Sequence, residues 1–280
     1  MIHLLLLIAS LTGALALRTR NNWQTPCQDC RWQKSMRAFV VPPLLLLSTA
    51  TALVLMGNHG PMAQGQYGTP PYAIALAFLT AALGIFLWQG LRSFITLRQV
   101  ATQPMIDLLE QPAYLVEGDR PFIAQIGLWH PKLVLTQALL ETLDSEHLNA
   151  VLRHEAAHQH FHDTFWFFWL SCLRRLTCWL PQTEALWQEL LSLRELRADR
   201  WAAQEVDPLL LAEALYQVVS PPMEPELAAG FNHSELNPED RLETRIQALL
   251  SPKPPMRANP WDWRYVGLVL LPFLVIPFHG

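Results

Sequence analysis

Hydrophobic and polar positions divide this chain into two regimes. Residues 2–17, 38–57 and 72–91 contain no Asp, Glu, Lys or Arg. The second and third runs have about the length a helix needs to cross a hydrocarbon core of ~30 Å. The first is shorter, and Ala14-Leu15-Ala16 resembles a signal-peptide cleavage site. Its charges, Arg18 and Arg20, follow the apolar run instead of preceding it, which predicts an uncleaved anchor with its N-terminus outside. A fourth run, 265–278, is interrupted by Pro272 and Pro277. Trp261 and Trp263 suit an interfacial belt and Arg264 can snorkel, so a fourth span is expected there; a buried or re-entrant segment is the alternative.

Between 99 and 263 the pattern is mixed. Met105, Ile106, Leu108 and Leu109 predict a short amphipathic helix stopped by Pro112. Three β-rich fragments follow, 113–117, 122–128 and 132–136, separated by the turn signals Gly118-Asp119 and His130-Pro131. They predict a small antiparallel sheet. Leu148, Val151, Leu152 and Ala156 recur at helical spacing after Ser145-Glu146, predicting a helix to about Asp163. Residues 164–181 are aromatic and apolar but contain Arg174-Arg175, which is costly inside a bilayer. A helix lying at the membrane surface or packed against the spans, ending near Pro181, is expected. Further helices are expected over 184–204, 209–219 and 237–250, with linkers at 220–222 and 251–255.

Composition sharpens this division. Apolar residues make up 51% and charged residues 16%, against about 25% charged in an average soluble domain. The deficit argues against a soluble enzyme, disorder, or a nucleic-acid binder with its basic surface. The net charge of −4 splits into +7 outside 99–263 and −11 inside it. Arg18, Arg20, Arg31, Lys34 and Arg37 fall between the first two runs, whereas 58–71 has no charge. The positive-inside rule makes the first loop cytoplasmic and the second external, so 99–263 is expected in the cytoplasm. The layout is a membrane region over 1–98 with spans at about 2–17, 38–57 and 72–91, a polar domain over 99–263, and a C-terminal span over 264–280. Cys27 and Cys30 form one CxxC, too few ligands for a zinc ribbon. An ordinary reduced pair is favoured over a redox or accessory metal role, and Cys172 and Cys178 read as packing residues.

The chemistry-bearing motif is His154-Glu155-Ala156-Ala157-His158. On a helix, residues i and i+4 share a face, so both imidazoles can reach one zinc ion at ~2.0–2.1 Å. Glu155 lies about 100° round the helix from His154, suited to act as a general base rather than a ligand. Ten His and fifteen Glu in this sequence give a chance expectation of roughly 0.02 such motifs. A catalytic zinc needs a third protein ligand. His160 and His162 project from other sides of the helix, and His130 sits in a turn. Glu195 is the better candidate, with Asp199 one helical turn later; one carboxylate can bind the metal while the other orients a ligating His. On spacing alone, a charged face pairing with Arg194, Arg197 and Arg200 accounts for both equally well.

HExxH, Asp163, the aromatic stretch to Pro181 and then Glu195-Leu196-Arg197-Ala198-Asp199 together resemble the gluzincin membrane peptidases. So does the run Leu128–His158 preceding and including the motif. The similarity is greatest to the BlaR/MecR-type family, related to HtpX-type peptidases, over roughly residues 70–250. It implies a mainly α membrane protein of about four spans with a cytoplasmic α+β gluzincin-like metallopeptidase domain. It implies Zn2+ on His154, His158 and Glu195, Glu155 as base, and Asp199 behind the ligands, with Asp163 a structural acid supporting the HExxH helix. His233 is the candidate oxyanion-stabilising residue; a surface-loop histidine is its alternative. The expected layout leaves two residues after the fourth run, so beta-lactam sensing is not part of what the resemblance implies.

The expected activity is zinc-dependent endoproteolysis of a cytoplasmic or membrane-associated protein at the inner or plasma membrane, with the bilayer and a protein or peptide substrate as partners and no nucleic acid. The alternative is a non-catalytic signalling or scaffold protein retaining the zinc site, against which the intact Glu155 speaks. A metal-handling protein using His158, His160, His162 and the CxxC is a third reading, though no clear span carries a convergent ligand set.

Overall fold

A computed structural model describes residues 2–20, 28–57, 69–109, 111–219, 238–251 and 263–278. The chain is mostly helical, with one small mixed sheet. It divides into two compact units, one of residues 1–89, 170–190 and 257–280, the other of 90–169 and 191–256. The boundaries after residues 89, 169 and 190 fall inside helices that begin in one unit and end in the other.

The first unit contains α1 (Ile2–Arg20) and α2 (Gln28–Met56), and most of α3 (Thr69–Ala101). Cys30–Met56 and Pro70–Ala101 are long and apolar enough to cross a membrane; the apolar part of α1, His3–Thr19, is shorter. The basic segment expected as a loop is partly helical, since Arg31, Lys34 and Arg37 stand on the first turns of α2. The run expected as a fourth span is broken into α10 (Trp263–Leu270) and a 3₁₀ segment, Leu271–Phe278. Its prolines have no N–H to extend an α-helical ladder. Phe273 and Ile276 from this segment pack with Leu53 and Met56 of α2.

Pro42 and Pro43 lie inside α2, which continues through them. Pro43 cannot donate to the carbonyl four residues back, which belongs to Phe39. Arg18, fully buried at the end of α1, donates to that oxygen at 3.2 Å and lies 5.4 Å from the Phe39 ring centre. Thus a flanking cation satisfies a hydrogen-bond vacancy that the proline creates. Arg18→Leu is expected to leave the carbonyl unsatisfied and destabilise the protein by about 1–3 kcal/mol. A thermal melt in detergent checks this; an unchanged melting temperature would show that the contact carries no stability.

Residues 170–190 belong to the same unit. Ser171 donates to Gln89 Oε1 at 2.7 Å, and Gln89 donates to Cys172 Sγ at 2.9 Å. The expected aromatic helix is α6 (Asp163–Leu176). It ends before Pro181, and its second half packs against α3 through these contacts. Arg31 on α2 makes a bidentate pair with Glu189 at 2.7 and 2.8 Å. Cys172 is buried as expected of a packing residue, but Cys178 is exposed. Cys27 lies outside the described residues.

The second unit builds on β1 (Met105–Leu108), β2 (Gln111–Val116), β3 (Ile123–Ile126) and β4 (Lys132–Thr136), ordered β1-β2-β4-β3. The expected helix over Met105–Leu109 is instead strand β1. Pro104 and Pro112 bracket too few residues for a nucleated helix, while pairing with β2 satisfies the backbone of Met105–Leu108. The sheet is also not purely antiparallel, because β2 runs parallel to β4. β3 folds back onto the far side of β4, leaving β2 to meet β4 in the same direction. Gly127 makes the turn out of β3 at φ +129°, a conformation nearly restricted to glycine.

After α4 (Gln137–Thr142) comes α5 (Ser145–His160). Asp144 caps it, accepting from the backbone N–H groups of Glu146 and His147 at 3.0 and 2.9 Å. Leu148, Val151 and Leu152 of α5 pack with Leu133 and Leu135 of the sheet, Leu211 and Leu215 of α8 (Pro208–Val219), and Leu242 and Leu249 of α9 (Pro238–Leu250). α7 (Thr183–Ala202) passes from one unit to the other at residue 190 and carries Glu195 and Asp199 into this second unit.

Candidate metal centre

Hydrophobic spacing turns one side of α5 toward the core, and His154, Glu155 and His158 are buried with it. α5 stops at His160, short of the expected Asp163. His162 takes a positive φ of 53° and so reverses the chain, after which Asp163 opens α6. This tight reversal returns Asp163 to the HExxH helix: its Oδ2 lies 2.8 Å from His158 Nδ1.

α7 supplies the remaining groups. Glu195 Oε2 is 3.3 Å from His154 Nε2, and Glu195 Oε1 is 3.7 Å from His158 Nε2. The two Nε2 atoms are 3.1 Å apart. A four-coordinate zinc with ligands at ~2.0–2.1 Å requires its ligand atoms to be about 3.3–3.4 Å apart. The two Nε2 atoms and the His154–Glu195 Oε2 pair lie near that value, and with one atom taken from each of His154, His158 and Glu195 all three fall within 4.8 Å of one another, so this group could hold an ion.

The outer nitrogens fix how the rings present themselves. His154 Nδ1 lies 2.9 Å from Asp199 Oδ1, a close but oblique approach. With Asp163 beside His158 Nδ1, each ring has a carboxylate favouring the proton on Nδ1. Both Nε2 lone pairs then face the centre, the arrangement in which carboxylates orient histidine ligands.

The two carboxylates are themselves held. Arg245 on α9 donates from Nε and Nη2 to Asp199, both at 2.7 Å, and Arg197 pairs with Asp163. Arg194 donates to Glu195 Oε1 at 2.8 and 3.0 Å, while Arg245 Nη1 stands 3.5 Å from Glu195 Oε2.

Charge follows this geometry. Burial opposes ionisation of Glu195, but Arg194 and the histidines outweigh it and hold its carboxyl well below the usual range. Burial likewise opposes Asp199, which Arg245 and His154 bring down. Glu155 has no such direct partner among the described contacts, and burial pushes its carboxyl upward. A raised carboxylate pKa suits a group that must accept a proton and release it again.

His160 is exposed and stacks with Trp201 at 5.4 Å, while His162 occupies the reversal and His130 the turn before β4. Among the described residues, the convergent ligand group consists of His154, His158 and Glu195. His233 lies outside the described residues. The charged face considered for Glu195 does include its contact with Arg194. Arg197 instead turns to Asp163, and the Arg245 contact with Asp199 had no signal in the sequence.

The metal-free centre should respond to pH. Burial disfavours protonation of His154 and His158, but the surrounding carboxylates prevail and raise both pKa values. Protonation therefore stabilises the metal-free protein fully below ~6.5, and that contribution fades as pH rises through the folded values. Protons and metal compete for the same nitrogens. The melting-temperature gap between zinc-loaded and metal-free protein is expected to widen from about pH 6 to about pH 8. A pH-independent gap would contradict this linkage.

Comparison with protein-family models, curated proteins and solved structures finds no significant match to this chain.

Proposed function

We propose that this protein is a membrane-embedded zinc endopeptidase of the gluzincin type, hydrolysing a cytoplasmic or membrane-associated protein. The single observation carrying this reading is the convergence of His154, His158 and Glu195, one atom from each within 4.8 Å of the others, beside the buried Glu155. Bound zinc would supply Lewis-acid polarisation of the scissile carbonyl and a water of lowered pKa. Glu155, buried beside this centre, would accept a proton from the attacking water and return one to the departing amine. Asp199 and Asp163 keep the ligand rings oriented, and Arg245 and Arg197 hold those acids in place. β3 is an edge strand against α5, so an extended substrate can add to it as another strand. His233 remains the proposed oxyanion-stabilising residue.

The membrane reading rests on α2 and α3, with α1 and the C-terminal pieces proposed as two further spans. The basic residues at the start of α2 and Arg92 and Arg98 on α3 favour a cytoplasmic metal domain. The resemblance to BlaR/MecR-type peptidases supports the same arrangement. The competing scaffold reading gives no role to the buried Glu155.

Chelation tests the activity. Reconstituted protein is incubated with casein before and after metal removal by 1,10-phenanthroline. Cleavage is expected to stop on chelation and return with zinc. Cleavage that survives verified metal removal would overturn the assignment.

A further inference from the structure

We propose that Trp129, Phe165, Trp166 and Trp169 form a lipid-interface anchor that seats the metal-bearing unit against the headgroup layer. The proposal rests on the membrane reading above and narrows the substrate class to protein segments close to the bilayer surface.

The four residues come from two places in the second unit. Trp129 stands in the turn between β3 and β4; the others occupy the first turns of α6. Phe165 joins them, with ring centres 4.9 Å from Trp129, 5.3 Å from Trp166 and 6.4 Å from Trp169. Trp129 is 72% exposed, Trp166 44% and Trp169 41%. Three exposed indoles around one phenyl ring form an apolar patch of the kind that marks an interaction surface. An indole combines an apolar body with an N–H donor, which suits headgroup depth better than water or hydrocarbon.

α3 provides a depth scale. Its uncharged run ends at Leu91, and Leu97 follows six residues later, ~9 Å along the helix. The headgroup layer is roughly 5–8 Å thick on each side of the hydrocarbon core. A Cβ at Gly127 would lie 3.5 Å from Leu97 Cδ1, so the turn bearing Trp129 packs just beyond the outer edge of this layer. Leu91, Phe94 and Ile95 are exposed on the intervening turns of α3. Arg98 lies 4.8 Å from the Phe94 ring centre, an arrangement in which a cation can remain among phosphates while its stem covers apolar surface. The exposed apolar face of α3 thus leads from the end of the uncharged run to within a helical turn or two of the turn bearing Trp129, favouring lipid over a partner protein.

The cluster also adjoins the metal centre. Phe165 follows Asp163 by two residues on α6, and Asp163 contacts His158. Arg194, bound to Glu195, lies 4.8 Å from the centre of the neighbouring Phe167 ring. An anchor at this place would hold the catalytic groups near the membrane surface, where they meet segments emerging from it.

Photolabelling of the full chain in phosphatidylcholine nanodiscs tests the proposal. One lipid probe carries a diazirine beside the headgroup and another carries it at the acyl terminus; labelled residues are mapped by mass spectrometry. The headgroup probe is expected to label the 127–131 turn and residues 164–169, whereas the acyl-terminal probe labels 72–91 and spares the cluster. Labelling of 72–91 with no headgroup-probe labelling of the cluster would overturn the anchor while leaving the membrane reading intact. Equal labelling of the cluster by the deep probe would also overturn it, by placing these residues in the hydrocarbon. Absence of labelling at 72–91 by either probe would instead reject the membrane reading and the anchor with it.

Discussion

Glu155→Gln is expected to leave about one zinc per chain and slow peptide hydrolysis by roughly 10²–10⁴-fold. The two effects separate because Glu155 is not in the converging ligand group of His154, His158 and Glu195. Glutamine preserves the shape and much of the polarity of glutamate but cannot accept and return a proton. Burial raises the glutamate pKa, bringing the carboxylate closer to a useful proton-transfer range. The adjacent ligands are held by other groups, including Asp199, Asp163 and Arg194, so the substitution should not dismantle the centre. Metal analysis and casein cleavage on the same preparation provide the check. Unchanged cleavage would reject Glu155 as the base. Simultaneous loss of zinc would instead assign it a structural part in holding the centre.

The separation of Glu155 from the candidate ligands His154 and His158 was legible in the sequence because helical angle carries it. His154 and His158 recur on one face, while Glu155 is rotated away. The N-terminal start of α5 was similarly local, marked by Ser145-Glu146 and the following apolar spacing, although the cap itself is Asp144. β1 was not legible in that way. Met105, Ile106, Leu108 and Leu109 offer a plausible helical face, but Pro104 and Pro112 leave little chain for it. Pairing with β2, which sequence spacing does not display, decides the outcome. The parallel β2–β4 pairing is also a property of the route taken by the chain. Turn residues identify reversals without specifying which strand edge each segment joins.

The same limit applies around the candidate metal centre. Glu195 and Asp199 could be placed on one helix face, but spacing did not distinguish ligand chemistry from surface ion pairs. In the structure Glu195 faces the histidines and also contacts Arg194. Arg245 emerges from α9, far along the chain, and bridges toward both acids. Its role depends on tertiary folding that the local pattern near residue 245 does not encode. Asp163 shows an intermediate case. Its proximity to the HExxH helix was readable, whereas its alignment with His158 Nδ1 required the reversal at His162.

Glu195→Ala is expected to remove more metal affinity than the ~10–100-fold typically lost when an outer partner of a ligand is removed. Alanine deletes a ligand atom and also the negative charge between two cations. Arg194 and Arg245 lie 2.8 and 3.5 Å from the carboxylate in the intact chain. Without Glu195 their positive charge is less neutralised and further disfavours a divalent ion. Asp199→Asn provides a contrasting variant: it retains all three converging ligands but weakens the charge-supported orientation of His154. Competitive chelator titration should rank intact protein above Asp199→Asn, and Asp199→Asn above Glu195→Ala. Circular dichroism on the same samples distinguishes site loss from unfolding. A folded Glu195→Ala variant with intact zinc affinity would exclude Glu195 as a ligand, because neither its oxygen nor its screening of the two arginines would then contribute to binding.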